Sequence, residues 1–299
     1  MLTAQLTPLS MNRPWRNQGI LMAIFLLCCC LAVSEDNGLL IPVKFWPWDF
    51  AVLPPYKLMF CRVHKAGTTG LNHIIAALVP PPYPENQEWT VHQATDYGLD
   101  AWNLTHILRD PSWYKVVMYR EPLERFLSAY RSKCEGYDRD RTCDRVFHHQ
   151  VPTFGGAIRR IVLREDFSGD SHFAPQAETC NLRKTLPYFT EKFILDPATS
   201  HEKMRAVFQH AHVELNEAMN GLLNTYFAPA GSEGDPQHNT HSSEVEALLK
   251  YYNHDCYIRL MVDHYEEDYA LFNIPIPEWA LGALSRVTSE ECMEIIKSH

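Results

Sequence analysis

The stretch Tyr114-Lys-Val-Val-Met-Tyr-Arg-Glu-Pro-Leu-Glu-Arg-Phe-Leu-Ser-Ala-Tyr-Arg131 joins an apolar run to an amphipathic one. The run Tyr114–Tyr119 is apolar enough to predict a buried strand. Pro122 then opens a helix that we expect to continue to about Lys133, because proline fits a first turn, where its missing N–H would have no intrahelical partner. The stretch therefore predicts a strand that leads directly into a helix, with Arg120 at the junction.

The same unit occurs earlier in the chain. Lys57–Val63 predicts a buried strand and Gly67–Leu78 the helix after it. Phe193–Leu195 predicts a third short strand, followed by a helix over His201–Glu217, and Ser243–Phe272 is predicted to be largely helical. Strands that alternate with helices indicate an α/β fold, here a P-loop-like parallel β-sheet flanked by helices. Such sheets bind ligands at the carboxyl ends of their strands.

Between the first predicted strand and its helix lies Arg62-Val-His-Lys-Ala-Gly-Thr-Thr-Gly70. The backbone N–H groups of Ala66–Thr69, at the positive end of a helix, form a cradle for an anion, and the ammonium group of Lys65 and two hydroxyls supplement it. In the phosphate loop of nucleoside triphosphatases the lysine follows a glycine, whereas here Lys65 precedes Gly67. The segment predicts a phosphate site of another kind.

A second phosphate site is predicted about fifty residues later in the chain. Arg120 lies at the end of its strand, and Ser128 lies about two turns into the following helix. That separation would let both side chains reach one phosphate lying over the start of the helix.

Together these motifs resemble the membrane-bound carbohydrate sulfotransferases related to the HNK-1, chondroitin and dermatan enzymes. Lys-x-Gly-Thr-Thr is similar to their 5′-phosphosulfate loop, and the Arg120 motif to their 3′-phosphate site. Asp170–Gln176 and Tyr265–Phe272 are similar to further family segments, so that the resemblance runs from about Lys57 to Phe272. Two departures concern the acceptor pocket: Gly70 stands where cytosolic relatives often have an aromatic residue, and Phe173 replaces a usual tryptophan.

The resemblance implies an enzyme that moves a sulfuryl group from 3′-phosphoadenosine-5′-phosphosulfate (PAPS) to a carbohydrate hydroxyl, with no metal required. Lys65 would stabilise the charge that develops on the bridging oxygen. The donor-binding residues would be Lys65, Ala66, Gly67, Thr68, Thr69, Arg120 and Ser128.

The acceptor hydroxyl also needs a general base. His172 is the first candidate, and His64 is the second because it adjoins Lys65. Asp170 and Glu178 are alternative carboxylates. The sequence leaves the identity of the base open.

The amino terminus predicts a membrane anchor. Arg13 and Arg16 precede an apolar run over 19–33, which favours a type II orientation with a cytoplasmic amino terminus. The run is shorter than the roughly 20 residues that span a bilayer easily, and Ala32 and Ser34 would suit a cleavage site, so a cleaved signal peptide is the alternative. We expect a cytoplasmic tail over 1–18, an anchor over 19–34, a loosely packed stem over 35–55 and a lumenal domain over 56–299, located at the Golgi membrane.

Charge and cysteine content narrow the class of protein further. The net charge of -9 and pI near 5.9 argue against a nucleic-acid binder. Six cysteines outside the apolar run permit disulfides, with Cys134 and Cys143 the closest pair in sequence, and Asn103 opens a glycosylation sequon. Two other functions stay open: a nucleotide-dependent kinase or hydrolase, and a non-catalytic lumenal scaffold on the same fold. The acceptor and the oligomeric state are not indicated by the sequence.

Overall fold

The computed structural model describes residues 38–42, 49–78, 98–135, 141–147, 152–163, 170–228 and 245–298. The described strands are β1 (Phe50–Leu53), β2 (Leu58–Arg62), β3 (Tyr114–Tyr119) and β4 (Glu191–Ile194). The described helices are α1 (Thr68–Leu78), α2 (Ala101–Arg109), α3 (Pro122–Cys134), α4 (Arg141–Phe147), α5 (Phe154–Leu163), α6 (Leu182–Thr185), α7 (Ser200–His210), α8 (Glu217–Tyr226), α9 (Val245–Tyr251), α10 (Asp255–His264), α11 (Glu266–Phe272), α12 (Glu278–Arg286) and α13 (Ser289–Ser298).

The four described strands form one sheet in the order β1-β2-β3-β4. β2, β3 and β4 are parallel, whereas β1 is antiparallel to β2. Arg62, the last residue of β2, pairs with Met118 near the end of β3. The chain therefore leaves β2 and β3 at the same edge of the sheet, and the segments that follow these strands are neighbours.

β1, β2 and the middle of β3 are buried on both faces because helices cover both sides of the sheet, whereas in β4 only Phe193 is fully buried. In β2, Met59 and Cys61 face one core while Leu58 and Phe60 face the other, as the two-residue repeat of a strand requires. The second core is closed by α1, α7 and α8, and the first by helices that include α2, α3, α5 and α10. This arrangement confirms the predicted α/β class with a helix-flanked sheet.

The first strand corrects the predicted boundary of the domain at Tyr56. Phe50–Leu53 falls within the predicted stem, but all four of its residues are buried and paired with β2. Ile41 is buried in the same core. A run of only four apolar residues before two prolines gives too little periodicity to identify a strand. The folded domain therefore begins before Tyr56.

Two predicted helices are divided in the structure. The helix expected over His201–Glu217 ends at His210, and α8 starts afresh at Glu217. His212 has a φ of 57°, and the side chain of Asn216 caps α8 by accepting a hydrogen bond from the backbone N–H of Met219 at 3.0 Å. The helical segment expected over Ser243–Phe272 consists, where the structure describes it, of α9, α10 and α11.

The six cysteines from Cys61 onward form three disulfides. The pairs are Cys61–Cys180, Cys134–Cys143 and Cys256–Cys292. No helix within the described ranges is both long enough and apolar enough to cross a bilayer. The predicted cytoplasmic tail (1–18) and anchor (19–34) lie outside the described residues.

Candidate functional site

The loop between β2 and α1 has the geometry of an anion cradle. Lys65 has a φ of 67° and Gly67 a φ of 78°, so that the chain turns sharply before the helix begins at Thr68. The first helical hydrogen bond of α1 runs from Leu71 N–H to the carbonyl of Gly67, at 3.0 Å. The N–H groups of the first turn, which include those of Thr68 and Thr69, therefore have no partner inside the helix and suit an anion.

Close packing explains the two glycines of this loop. A Cβ atom on Gly67 would lie 3.1 Å from the ring of Phe227, at a φ that favours glycine in any case. A Cβ atom on Gly70 would lie 2.4 Å from the Cβ atom of Tyr226, because α8 packs directly on α1 at this point. An aromatic residue at position 70 would collide with α8, which accounts for this departure from the cytosolic pattern.

Arg120 follows β3 and is 8% exposed. Its Nη1 atom lies 3.5 Å from the carbonyl oxygen of Lys65, and its Nε atom lies 3.4 Å from a carboxylate oxygen of Glu124. The backbone of Arg120 exchanges two hydrogen bonds with the side-chain amide of Gln176, at 2.9 and 2.8 Å. The predicted 3′-phosphate residue Arg120 therefore contacts the predicted 5′-phosphate loop.

His172 lies beside the same loop, although it is more than one hundred residues away in sequence. Its ring centroid is 4.4 Å from that of His64, the residue before Lys65. Its Nδ1 atom is 2.8 Å from Oδ1 of Asp170, and its backbone N–H donates to the same oxygen at 2.9 Å. The other oxygen of Asp170 accepts a hydrogen bond from Arg145 on α4, at 2.5 Å.

Burial and two neighbouring cations favour a neutral imidazole at His172. Burial lowers its pKa below the ordinary value, the Asp170 carboxylate raises it, and the cations Lys133 and Lys65 lower it again. The pKa of His64 is also lowered, and burial, His172 and Arg62 hold it well below the ordinary value. A neutral imidazole at the pH of the cell can accept a proton.

Buried polar groups hold the His172 segment in place. Arg125, which is fully buried, donates to the carbonyl of His172 at 3.1 Å and to that of Ala174. The hydroxyl of Tyr265 donates to the carbonyl of Phe173 at 2.7 Å. Asp268 accepts from the backbone N–H groups of residues 176 and 177, at 2.9 and 2.8 Å. The Tyr265–Phe272 segment, which sequence reasoning could only match to a family pattern, thus supports the site.

The structure brings Lys65, Ala66, Gly67, Arg120 and His172 together at one edge of the sheet. Thr68 and Thr69 open α1, half-buried and exposed respectively. Ser128 lies in α3 and is 4% exposed, which makes it less accessible than Arg120.

One of the four candidate bases lies elsewhere. Glu178 points to the surface, where it forms an ion pair with Arg183 at 3.4 Å. The role of Arg145 was missed in the sequence analysis, because its pairing with Asp170 depends on the packing of α4. The short spacing of Asp170 and His172 was the available signal for their contact. Within the described ranges no three His, Cys, Asp or Glu side chains are grouped as metal ligands.

Comparisons with known proteins match most of the chain. Residues 48–275 match the model of the family described as "Sulfotransferase family". The match begins before β1 and ends after α11, so that it includes every site residue named above. An uncharacterized protein of Caenorhabditis elegans is 23% identical to the chain over 267 residues, which cover 77% of this chain and 70% of the nematode protein. No solved structure matches the chain significantly.

Proposed function

Because the chain belongs to the sulfotransferase family, we propose that it transfers a sulfuryl group from PAPS to a hydroxyl group of a carbohydrate. The observation that carries the proposal is the meeting of Lys65, Arg120 and His172 at the carboxyl ends of β2 and β3. A cation, an anion cradle and a neutral base at one place are what in-line transfer between two oxygens requires.

The residues present fit the donor. The turn at Lys65 and Gly67 and the first N–H groups of α1 suit the 5′-phosphosulfate. Arg120 suits the 3′-phosphate, because a guanidinium group binds phosphate through charge-assisted hydrogen bonds. We assign Ser128, two turns further along, to the same phosphate. In this proposal Ala66, Thr68 and Thr69 complete the cradle.

Each residue then has a defined part in the reaction. His172 takes the proton from the acceptor hydroxyl as its oxygen bonds to sulfur. The bond between sulfur and the bridging oxygen of the donor breaks, and Lys65 stabilises the negative charge left on that oxygen. The products are a sulfate ester and adenosine 3′,5′-bisphosphate.

A sugar hydroxyl as acceptor and a Golgi location are also part of the proposal. The carbohydrate acceptor is supported by the resemblance of the Arg120 motif to carbohydrate enzymes. The location is supported by three disulfides, which are typical of proteins that fold in an oxidising compartment. We propose a type II protein with residues 19–34 in the Golgi membrane and the catalytic domain in the lumen.

The donor site is tested by calorimetry on the full-length protein with adenosine 3′,5′-bisphosphate and with ADP. We expect micromolar binding of the bisphosphate and weaker binding of ADP. Arg120→Gln should weaken bisphosphate binding by roughly 10- to 100-fold, which is the range for losing a charged hydrogen bond. Arg131→Gln is the matched control, because Arg131 also pairs with a glutamate four residues later, at 3.3 Å, but lies half-buried in the last turn of α3.

Transfer is tested with 35S-labelled PAPS and two acceptors, chemically desulfated dermatan sulfate and a tyrosine-containing peptide. Label on the polysaccharide supports the carbohydrate acceptor, whereas label on the peptide alone rejects it. If ADP bound as tightly as the bisphosphate and the protein turned over ATP, a nucleotide-dependent kinase or hydrolase would be favoured. Binding of the bisphosphate without transfer to any acceptor would favour the non-catalytic scaffold.

A further inference from the structure

Asp170 is a buried acidic side chain in direct contact with the proposed base. Its side chain is 2% exposed, and its two oxygens accept three hydrogen bonds. The donors are Arg145, the backbone N–H of His172 and Nδ1 of His172. Burial raises the pKa of Asp170, but the hydrogen bonds from His172 and Arg145 outweigh burial and lower the pKa below its ordinary value. An ionised carboxylate can only accept hydrogen bonds.

We propose that Asp170 is a positioning residue for the transfer reaction, fixing His172 in the tautomer that leaves Nε2 free to accept a proton. This inference rests on the proposed function of His172 as the base. Because the carboxylate only accepts, Nδ1 of His172 must carry the ring proton of the neutral imidazole. Nε2 then holds the lone pair, on the opposite side of the ring from Asp170.

During transfer the acceptor hydroxyl gives its proton to Nε2 as its oxygen bonds to sulfur. His172 becomes an imidazolium ion that keeps its Nδ1 proton, and the Asp170 carboxylate stabilises this positive charge. The electron pair of the broken bond leaves with adenosine 3′,5′-bisphosphate. Asp170 itself neither gains nor loses a proton in this step.

Burial and the cations around His172 oppose its protonation, and the Asp170 carboxylate acts against them. Lys65, from the β2–α1 loop, and Lys133, from α3, both oppose protonation of His172, and His64 lies against its ring. Asp170 is the acidic group that opposes them. The other side-chain donor to Asp170 is Arg145, which adds to the larger effect of His172 in lowering the pKa of the carboxyl group.

The tautomer is measured directly by NMR on the full-length protein carrying 15N-labelled histidine, with adenosine 3′,5′-bisphosphate bound. His172→Gln identifies the His172 resonances by their disappearance. We expect Nδ1 to be protonated in the wild-type protein. In Asp170→Asn the side chain has one oxygen for three donors, and the charged Arg145 competes for it, so that the proton should move to Nε2.

The kinetic test uses the same variant with PAPS and desulfated dermatan sulfate. We expect kcat to fall by roughly 10²- to 10⁴-fold, the range for losing a general base, with bisphosphate binding within about twofold of wild type. The acidic limb of the kcat profile should move to lower pH, because loss of the carboxylate lowers the pKa of His172. Arg145→Gln is the control that removes the other partner of Asp170. It should leave the His172 tautomer unchanged and cost less than about threefold in kcat.

Two results would overturn the proposal: a proton on Nε2 in the wild-type protein, or a kcat for Asp170→Asn equal to that of Arg145→Gln. A different result would show that the proposed function itself is wrong. In that case the wild-type protein would neither bind the bisphosphate nor transfer sulfate, whatever the tautomer of His172.

Discussion

Lys65 has a backbone conformation that residues with a side chain rarely adopt. A φ of 67° costs of order 1–2 kcal/mol for a non-glycine residue. The turn is held by a hydrogen bond from Ala66 N–H to the carbonyl of Val63, at 3.1 Å, and by the contact of Arg120 with the Lys65 carbonyl. A glycine would fit the turn more easily, so the lysine side chain is retained at a cost in stability. Such a cost is typical of a functional position.

Replacing Lys65 by alanine therefore tests its function without changing the backbone requirement. Lys65→Ala should reduce sulfate transfer at least about 10³-fold, since an ammonium that stabilises developing charge contributes several kcal/mol. The melting temperature should stay within a few degrees of wild type. Transfer is followed with 35S-labelled PAPS, and folding by circular dichroism.

Lys57 provides the matched control for this substitution. It is also a lysine with positive φ, at 44°, but it lies before β2 at the other end of the strand. Lys57→Ala should keep wild-type transfer, because its Nζ atom donates to the hydroxyl of Ser112 at 3.2 Å, at the end of β2 opposite the donor loop. Wild-type turnover in Lys65→Ala, or equal losses in both variants, would remove Lys65 from the mechanism.

The residues of the donor loop were predictable because they are contiguous. Lys65 to Thr69 form a motif whose order alone indicates an anion cradle after a strand. The pairing of Asp170 with Arg145 could not be predicted in this way, because it depends on where α4 packs. An arginine that directly follows an acid, as Arg145 follows Asp144, is typical of an ordinary surface position until the fold is known.

Elements were predictable where the local signal and the packing agree. β3 spans the predicted residues, and α3 ends one residue beyond the predicted Lys133, since Pro122 fixes its start. The break between α7 and α8 was missed because its signals are a left-handed histidine and an asparagine cap. A histidine or an asparagine within a longer apolar pattern does not by itself predict the end of a helix. The break is fixed by the packing of α8 against α1.

Glu121 joins two of these elements. It caps α3 by accepting a hydrogen bond from Glu124 N–H at 2.7 Å, and it also accepts one from the hydroxyl of Tyr269 on α11. Burial raises the pKa of Glu121 to about 7, although both hydrogen bonds act in the opposite direction. A carboxyl group whose pKa is raised by folding stabilises the protein at low pH, and this contribution is lost as pH rises through the folded pKa.

Glu121→Gln should therefore change how stability depends on pH. Between pH 5 and pH 8 the wild-type protein loses the contribution of this carboxyl group, and the amide does not titrate. Relative to wild type, the free energy of unfolding of the variant should rise by roughly 2 kcal/mol over this range. Urea unfolding at both pH values measures the difference. Glutamine loses one hydrogen-bond acceptor at every pH, which shifts the whole curve of unfolding free energy against pH. The prediction is contradicted only if the slope of that curve is the same in the variant and the wild type.

At the scale of the whole molecule, the match to the family ends at residue 275, before α12 and α13. These last helices are tied to α10 by the disulfide Cys256–Cys292 and by an ion pair between Arg286 and Asp255 at 2.6 Å. Arg159 on α5 donates to the carbonyl of Ile296 at 2.8 Å. Helices α12 and α13 therefore support the layer of helices that holds the His172 segment, and they contribute none of the proposed catalytic side chains.

The disulfides differ in what they connect. Cys61–Cys180 closes a loop with a sequence separation of 119, and it joins the end of β2 to the segment that follows His172. Cys134–Cys143 closes a separation of 9, at the junction of α3 and α4. On loop entropy alone, the first should stabilise the fold by about 5 kcal/mol and the second by about 2.6 kcal/mol.

We therefore expect the double variant Cys61→Ser/Cys180→Ser to lose about 2 kcal/mol more stability than Cys134→Ser/Cys143→Ser. It should also lose transfer activity under conditions where it is still folded, because the bond holds the Lys65 loop and the His172 segment to one another. On the same preparations, urea unfolding measures stability, thiol titration checks that the other disulfides are intact, and transfer of 35S-labelled sulfate measures activity. Equal losses of stability in the two variants would mean that the long loop is already restricted in the unfolded chain. Full activity in Cys61→Ser/Cys180→Ser would mean that Arg125, Tyr265 and Asp268 are enough to keep His172 beside Lys65.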